Sequence, residues 1–374
     1  MKLIGPFKQL LPMTGLPLFG PLSNEQLLVL KDVGILIDGE NIAAIGNFEE
    51  LEKLHVTAEI HFLKGNHTCL PGFIDSNTQL CFGGSGINKN IQETVLETSN
   101  TSKEVLAKKT AKLANRHLKN GTTTIEVKSG FGLSAAEELK ILRALQDAQL
   151  QTKVDLIATY NAAQNIPKEY SGNAEKYLAT TSSELFPILK NENLSHRISA
   201  TLSNSGFSKE QVRSYFNKAV EMGFYLSITE NEISKSSDNT TILDSDNCFT
   251  TALAGTSIGL GNTFAPARNI LDNGGSLAIA SNHNPINAPM GDLLTQASIL
   301  GAYENLSTAE ILAGITNRAA AALNLKNCGE LAVGKLADFI LFHTSDYNEI
   351  LYNQGSFKPC VVYKKGEVVF DKHK

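Results

Sequence analysis

Segments that read as a strand followed by a helix recur through the middle of the chain, from about Thr68 to Leu325, and this alternation narrows the fold most. The strand candidates are Cys69–Asp75, Thr122–Val127, Val154–Thr159, Arg197–Leu202, Phe224–Thr229, Cys248–Ala252 and Ser276–Ser281. Helices are expected between most of them. Ser102 opens one that runs to Gly121, a glycine where a C-terminal cap is expected. Ser134 with Glu137 predicts a capping box, followed by Leu139, Leu142 and Leu145 on one face. Phe207–Met222 and Ser307–Leu325 read alike, the latter opening with a second box, Ser307 and Glu310. Strand then helix, repeated, predicts a parallel barrel rather than a mixed sheet.

The count falls short of eight. Between Glu232 and Asn247 the sequence is polar and turn-rich, with only Thr240–Leu243 as a possible short strand, so the sixth βα unit is expected to be reduced or missing. Both chain ends are strand-rich instead. Val33–Gly46 holds two apolar runs around an Asp-Gly turn, and Val361–Phe370 repeats the pattern around Lys-Gly. The economical arrangement is a β-sandwich built from 1–67 and 326–374, with a barrel at 68–325 inserted between them. A chain of 374 residues is long enough for such a barrel, about 250 residues, plus a smaller module.

In a parallel barrel the strand C-termini face the open mouth, so polar groups there carry the chemistry. After the apolar launch Leu70-Pro71-Gly72-Phe73-Ile74 come Asn77 and Gln79, which alternate and point at the same space. Histidines at that spacing would chelate a metal; amides offer only neutral carbonyls. Glu126 and Lys128 alternate on the next strand and are expected to pair inside the barrel. Of eight histidines, His283 alone is expected near the mouth, as a hydrogen-bonded wall residue.

Several stretches resemble the amidohydrolase superfamily and, within it, the imidazolonepropionases, the ring-opening enzymes of histidine degradation. They are Gly121-Thr122-Thr123-Thr124-Ile125-Glu126-Val127-Lys128-Ser129-Gly130-Phe131-Gly132-Leu133, Phe264-Ala265-Pro266-Ala267-Arg268, Asn284-Pro285 and Leu331-Ala332-Val333-Gly334-Lys335-Leu336-Ala337-Asp338, all in family order. The resemblance implies a (β/α)8 barrel with a composite sandwich, normally a homodimer. It also implies one Zn or Fe ion held by His-x-His after the first strand, a His after the fifth and an Asp after the eighth. That ion activates water for attack on a cyclic amide.

Those ligand positions fall on Asn77, Gln79, Thr229 and Asn282, none of them a histidine or a carboxylate. The sixth-strand His belongs to the unit not found. Of the substrate-binding pieces, an expected Arg is Gly86, a loop ahead of Asn88-Lys89-Asn90 is missing, a Tyr is Phe131 and a His is Gln164, while Asn284 remains. Lys128, Glu232 and His283 are the residual catalytic candidates, none forming an intact set. With the dication gone, a buried Asp would be an uncompensated charge, and Asn282 keeps its shape without it. No metal cofactor is therefore expected, and the four positions should satisfy one another as a polar plug.

The leading reading is a catalytically inactive relative with a binding or assembly role, as a homodimer or in a heterodimer with an active relative, and with space for a small-molecule ligand in the remodelled mouth. The alternative is an active hydrolase of a cyclic-amide C–N bond, either metal-dependent or working without metal around Glu232, Lys128, His283 and Asn284. A net charge of −5 gives no basic footprint for nucleic acid or anionic membrane. Five scattered cysteines without a CxxC pair, and no apolar leader after Met1, predict a cytoplasmic protein with reduced thiols.

Overall fold

The computed structural model describes residues 1–87, 90–167, 170–203, 206–238, 240–243 and 248–373. Asn88 and Lys89, beside the expected loop deletion, and much of the polar 239–247 stretch lie outside them. In chain order the strands are β1 (Lys2–Phe7), β2 (Gln9–Leu10), β3 (Val33–Asp38), β4 (Asn41–Asn47), β5 (Glu59–Phe62), β6 (Thr68–Pro71), β7 (Phe73–Thr78), β8 (Thr122–Lys128) and β9 (Asp155–Ala163). They continue as β10 (Arg197–Leu202), β11 (Tyr225–Glu230), β12 (Ile233–Ser237), β13 (Phe249–Leu253), β14 (Ala278–Ala280), β15 (Phe339–Phe342), β16 (Val361–Lys364) and β17 (Glu367–Asp371).

Strands from the two chain ends build two sheets, ordered β4-β3-β1-β5 and β17-β16-β15-β6-β2. Their inner faces share one core, in which Ile4, Phe7, Ile35 and Ile37 meet Phe339, Leu341 and Tyr363. Phe7 packs edge-on against Phe339, and Phe339 stacks on Tyr363 at 4.3 Å. Of the two hairpin turns, the second is the one its dipeptide predicts, while in the first hairpin Asp38 still pairs with Asn41 and the turn is Gly39-Glu40. Lys365 and Gly366, both at positive φ, connect β16 to β17 in the geometry that suits right-twisted hairpins.

The strand expected over Cys69–Asp75 is two strands, parted at Gly72. β6 belongs to the terminal sheet and β7 to the barrel. Gly72 is where the chain passes closest to β8: a Cβ there would sit 2.3 Å from the Thr123 hydroxyl oxygen. Its N–H donates to the Asp338 carbonyl, tying the crossing point to the C-terminal segment.

β7 to β14 follow one another in sequence order around the barrel. β7 to β11 run parallel, as do β13 and β14. β12 departs from this. It runs antiparallel to both neighbours, joined to β11 by the two-residue turn Asn231-Glu232 with Asn231 at φ 52°. The sixth position is therefore filled by Ile233–Ser237, with no α-helix after it among the described residues before β13, while Thr240–Leu243 is a short 3-10 helix rather than the vestigial strand. β12 pairs on both edges, and Thr240–Leu243 packs Ile242 and Leu243 inward.

Helix starts follow their caps. Ser102, Ser134, Ser208 and Ser307 each accept the backbone N–H three residues on. The Ser307–Glu310 box forms in full. At Ser134 only half does, because the Glu137 carboxylate turns to Lys140 instead, 2.6 Å away. The helix expected over Ser307–Leu325 is two, Thr308–Gly314 and Asn317–Ala322, broken at Ile315-Thr316 where the Ile315 carbonyl receives the N–H of Ile74. Among the described residues no helix is long and apolar enough to cross a membrane.

Candidate functional site

The mouth of the barrel is a cavity of about 400 Å³ into which strands β7, β8, β9, β11 and the segment after β14 bring polar side chains. Asn77 and Gln79 line it together, as their alternation predicts, and so do Lys128, Gln164, Thr229, Asn282 and Asn284. Two hydrogen-bonded groups form. Asn77 Nδ2 donates to Asn282 Oδ1 at 3.3 Å, and Asn282 Nδ2 to the Thr256 hydroxyl at 2.6 Å. Opposite, Gln79 Nε2 and Asn161 Nδ2 both donate to Gln164 Oε1, at 2.9 and 3.3 Å. Asn282 sits at φ 46°, a left-handed conformation that asparagine tolerates better than most side chains.

Lys128 does not pair with Glu126. Glu126 takes Arg197, at 3.2 Å, and the Thr159 hydroxyl, at 2.6 Å. Arg197 also donates to the carbonyls of Ala322 and Leu323. Lys128 Nζ instead donates to the hydroxyls of Thr229, at 3.2 Å, and Ser234, at 3.4 Å. Burial pulls its pKa below the ordinary lysine value; Glu126 pushes back and Arg197 adds to the lowering.

The other candidates take different places. His283 is turned away from the cavity, its Nδ1 2.8 Å from His117 Nε2, and burial lowers its pKa to about 4. His117 Nδ1 in turn stands 3.6 Å from Asp75. Asp75 closes the barrel seam by accepting the N–H and hydroxyl of Ser281 at 2.9 and 2.5 Å, and burial lifts its pKa to about 7. Glu232 lies in the β11–β12 turn beside a separate cavity with Glu230, Lys209 and Phe264, where it accepts from Asn262 Nδ2 at 3.1 Å. The tight hairpin holds it there. Phe131 is fully buried, packed edge-on against Phe82, in the loop that Glu138 holds at Gly130, Gly132 and Leu133. Asn284 lines the cavity but is saturated: its Oδ1 accepts the N–H groups of Ile286 and Asn287, and its Nδ2 donates to the Asn282 carbonyl and Asn287 Oδ1.

Residues that sequence patterns did not single out also hold the site. Glu138, buried at the start of its helix, accepts the N–H groups of Gly130, Gly132 and Leu133, fixing the loop after Lys128. A carboxylate on the buried face beside Ile141 and Leu142 was the available signal. Gly130 is required there: φ is 124°, and a Cβ would lie 2.1 Å from Gln164 Oε1. Asn161, Thr256 and Ser234 had no distinguishing pattern.

The four positions that the resemblance gives to metal ligands offer amides and a hydroxyl, with the Lys128 amine 3.2 Å from one of them. Zn and Fe sites use imidazole, thiolate or carboxylate donors, and a neighbouring cation opposes a dication. Among the described residues no three His, Cys, Asp or Glu side chains come together to hold one. The side chains present do not fit such an ion.

Residues 216–369 match the amidohydrolase family model. An imidazolonepropionase of Fusobacterium nucleatum is 30% identical over 93% of this chain and 94% of its own length. This chain belongs to the imidazolonepropionase-like branch of the amidohydrolase superfamily. The imidazolonepropionase of Alkaliphilus oremlandii agrees, at 29% over 92% of this chain and 93% of its own. Among solved structures, a triazine hydrolase from Arthrobacter aurescens superposes with a TM-score of 0.73 at 14% identity, over 100% of this chain and 95% of that one. Guanine deaminase of E. coli gives 0.71 at 14%, over 99% of each. These two carry the fold alone: an amidohydrolase barrel with additional sheets.

Proposed function

We propose that this member of the imidazolonepropionase branch has lost metal-dependent hydrolysis of cyclic amides and keeps the barrel mouth as a binding pocket. The observation that carries the reading is the donor set. Asn77 and Asn282 bond to each other, Gln79 bonds to Gln164, and Thr229 accepts from Lys128, so the ligand positions are spent on neutral partners and an amine. Without a strong anionic donor set, water in the mouth has no Lewis acid to lower its pKa. Metal analysis of the purified protein should find no stoichiometric Zn or Fe, and imidazolonepropionate should not turn over with either ion added. One tightly bound ion per chain, with turnover, overturns the reading.

A second reading is a hydrolase that works without metal, favoured by the buried Lys128 amine facing the cavity with only hydroxyl partners. Turnover of a cyclic amide that survives chelator and disappears in Lys128→Met would establish it. For assembly we propose a cytoplasmic dimer, of two copies or with an active relative. Light scattering that returns only the 40.4 kDa monomer, with no co-purifying relative, counts against that assignment.

A further inference from the structure

β5 is the open end of its sheet: it pairs with β1 on one side and, among the described residues, with no strand on the other. The β1–β5 ladder is parallel, and the N–H groups of Glu59 and Leu63 donate to the Met1 and Gly5 carbonyls. Backbone groups alternate in direction along a strand, so those of Ile60 and Phe62 point outward. Among the described residues neither the N–H nor the C=O of either has a partner. The side chains are uncovered too: Ile60 is 40% and Phe62 62% exposed, and Leu54 and Val56, just ahead of the strand, are 75% and 82% exposed. Natural sheet edges are blunted by Pro, Lys, a bulge or a covering loop. Glu59-Ile60-His61-Phe62 contains no Pro or Lys, and its register with β1 is unbroken. The opposite edge of the same sheet is covered in part, since Ile42 of β4 donates to the Lys335 carbonyl and accepts the N–H of Gly334.

We propose that β5 is the docking edge for a second copy of this chain, the two β5 strands running antiparallel about a two-fold axis at His61. The proposal rests on the two-copy form of the assembly given above. Setting Ile60 opposite Phe62 of the second copy makes hydrogen-bonded pairs, in which the two residues exchange both N–H···O bonds, so every outward backbone group of Ile60 and Phe62 is met. Residues directly opposite share a face, so Ile60 and Phe62 of the two copies form one apolar cluster, backed by Phe48, whose ring packs edge-on against Phe62 at 5.9 Å. On the other face the two His61 rings meet at the axis. The Glu59 carboxylates, each 2.8 Å from its own His61, flank them, so there is an acid for each base. The contact is isologous and closes: the joined sheet has β4 at both ends and no free β5 edge to recruit a third copy. An edge of 4 residues buries little surface, so the dimer should come apart on dilution.

The test is static light scattering of the full-length protein over a dilution series, with native mass spectrometry and residue-resolved amide exchange on the same samples. The expected mass at high concentration is twice that of the 40.4 kDa chain. The Ile60 and Phe62 amides should be protected there and exposed on dilution, while Glu59 and His61, paired to β1, stay protected throughout. Ile60→Pro removes one outward N–H from each copy and no bond to β1, and should weaken dimerisation by at least about tenfold. Phe62→Lys places a charge in the apolar cluster and should act in the same direction. The exchange comparison uses unaltered protein, so it stands even where a variant fails to fold. A dimer that persists undiminished in both folded variants, or one whose Ile60 and Phe62 amides exchange alike at both ends of the series, overturns the edge and leaves the dimer assignment intact. A monomer at every concentration overturns both. Two unequal chains in the complex overturn the second copy as the occupant.

Discussion

Two lysines, Lys128 and Lys364, are buried to the same degree, 3% exposed each, and live in opposite electrostatic settings. Lys364 lies at the seam between the terminal sheets and the barrel, 2.5 Å from Asp338 and 2.7 Å from Asp155, the first residue of β9. Burial works against its charge, but the two carboxylates outweigh it, and its pKa lies above the ordinary value. Lys128 has two hydroxyls, and its pKa lies below. A closed charge network is what a permanent joint requires. An open one, facing a cavity, is what a ligand can complete.

Lys364→Met should give the largest effect, because it leaves Asp338 buried and uncompensated: about 3–5 kcal/mol of stability lost in urea unfolding. A loss under about 1 kcal/mol would dissolve the contrast. The next effect comes from His283, which like Lys128 is a base buried without a carboxylate in contact. Its folded pKa, about 4, lies below the ordinary 6.5, so the unfolded chain binds more protons between those values and acid favours unfolding. Its contribution is complete above pH 6.5 and falls by about 3 kcal/mol toward pH 4. Asp75, with its pKa raised from 3.8 to about 7, contributes in the opposite sense over the whole of that range. The informative measurement is therefore the difference in acid slope between the native protein and His283→Gln. A variant with the same slope would show that His283 is not buried neutral.

Lys128→Met should give the smallest effect, a change within about 1 kcal/mol or a gain, since it removes an unpaired buried charge and leaves two hydroxyls that can bond to each other. A loss as large as that of Lys364→Met would mean that Lys128 is structural, and the two regions alike.

Much of this was readable in the amino acids. The β16–β17 hairpin follows from Lys365-Gly366, the helix starts from their serines, and the shared cavity of Asn77 and Gln79 from strand periodicity. The failures have physical causes. Glu126 and Lys128 alternate correctly, but a pairing across the barrel depends on Arg197, which is remote in sequence. Glu232 sits next to β11, and nothing local says that a two-residue turn will carry it out of the mouth. His283 follows a strand end, yet Asp75 and Ser281 fix the seam so that it meets His117 instead. Local patterns fix elements; the direction a side chain takes is a tertiary outcome.

The antiparallel β12 has a consequence for how the barrel assembles. Its pairing with β11 closes a loop of two residues, the most local contact in the sheet, whereas the Asp75–Ser281 seam joins residues 206 apart. A hairpin of this kind forms in about 1–10 μs, while loop-closure entropy must be met before distant contacts return anything. A hairpin in place of a crossover thus puts the most local strand pairing of the barrel away from the seam that shuts it.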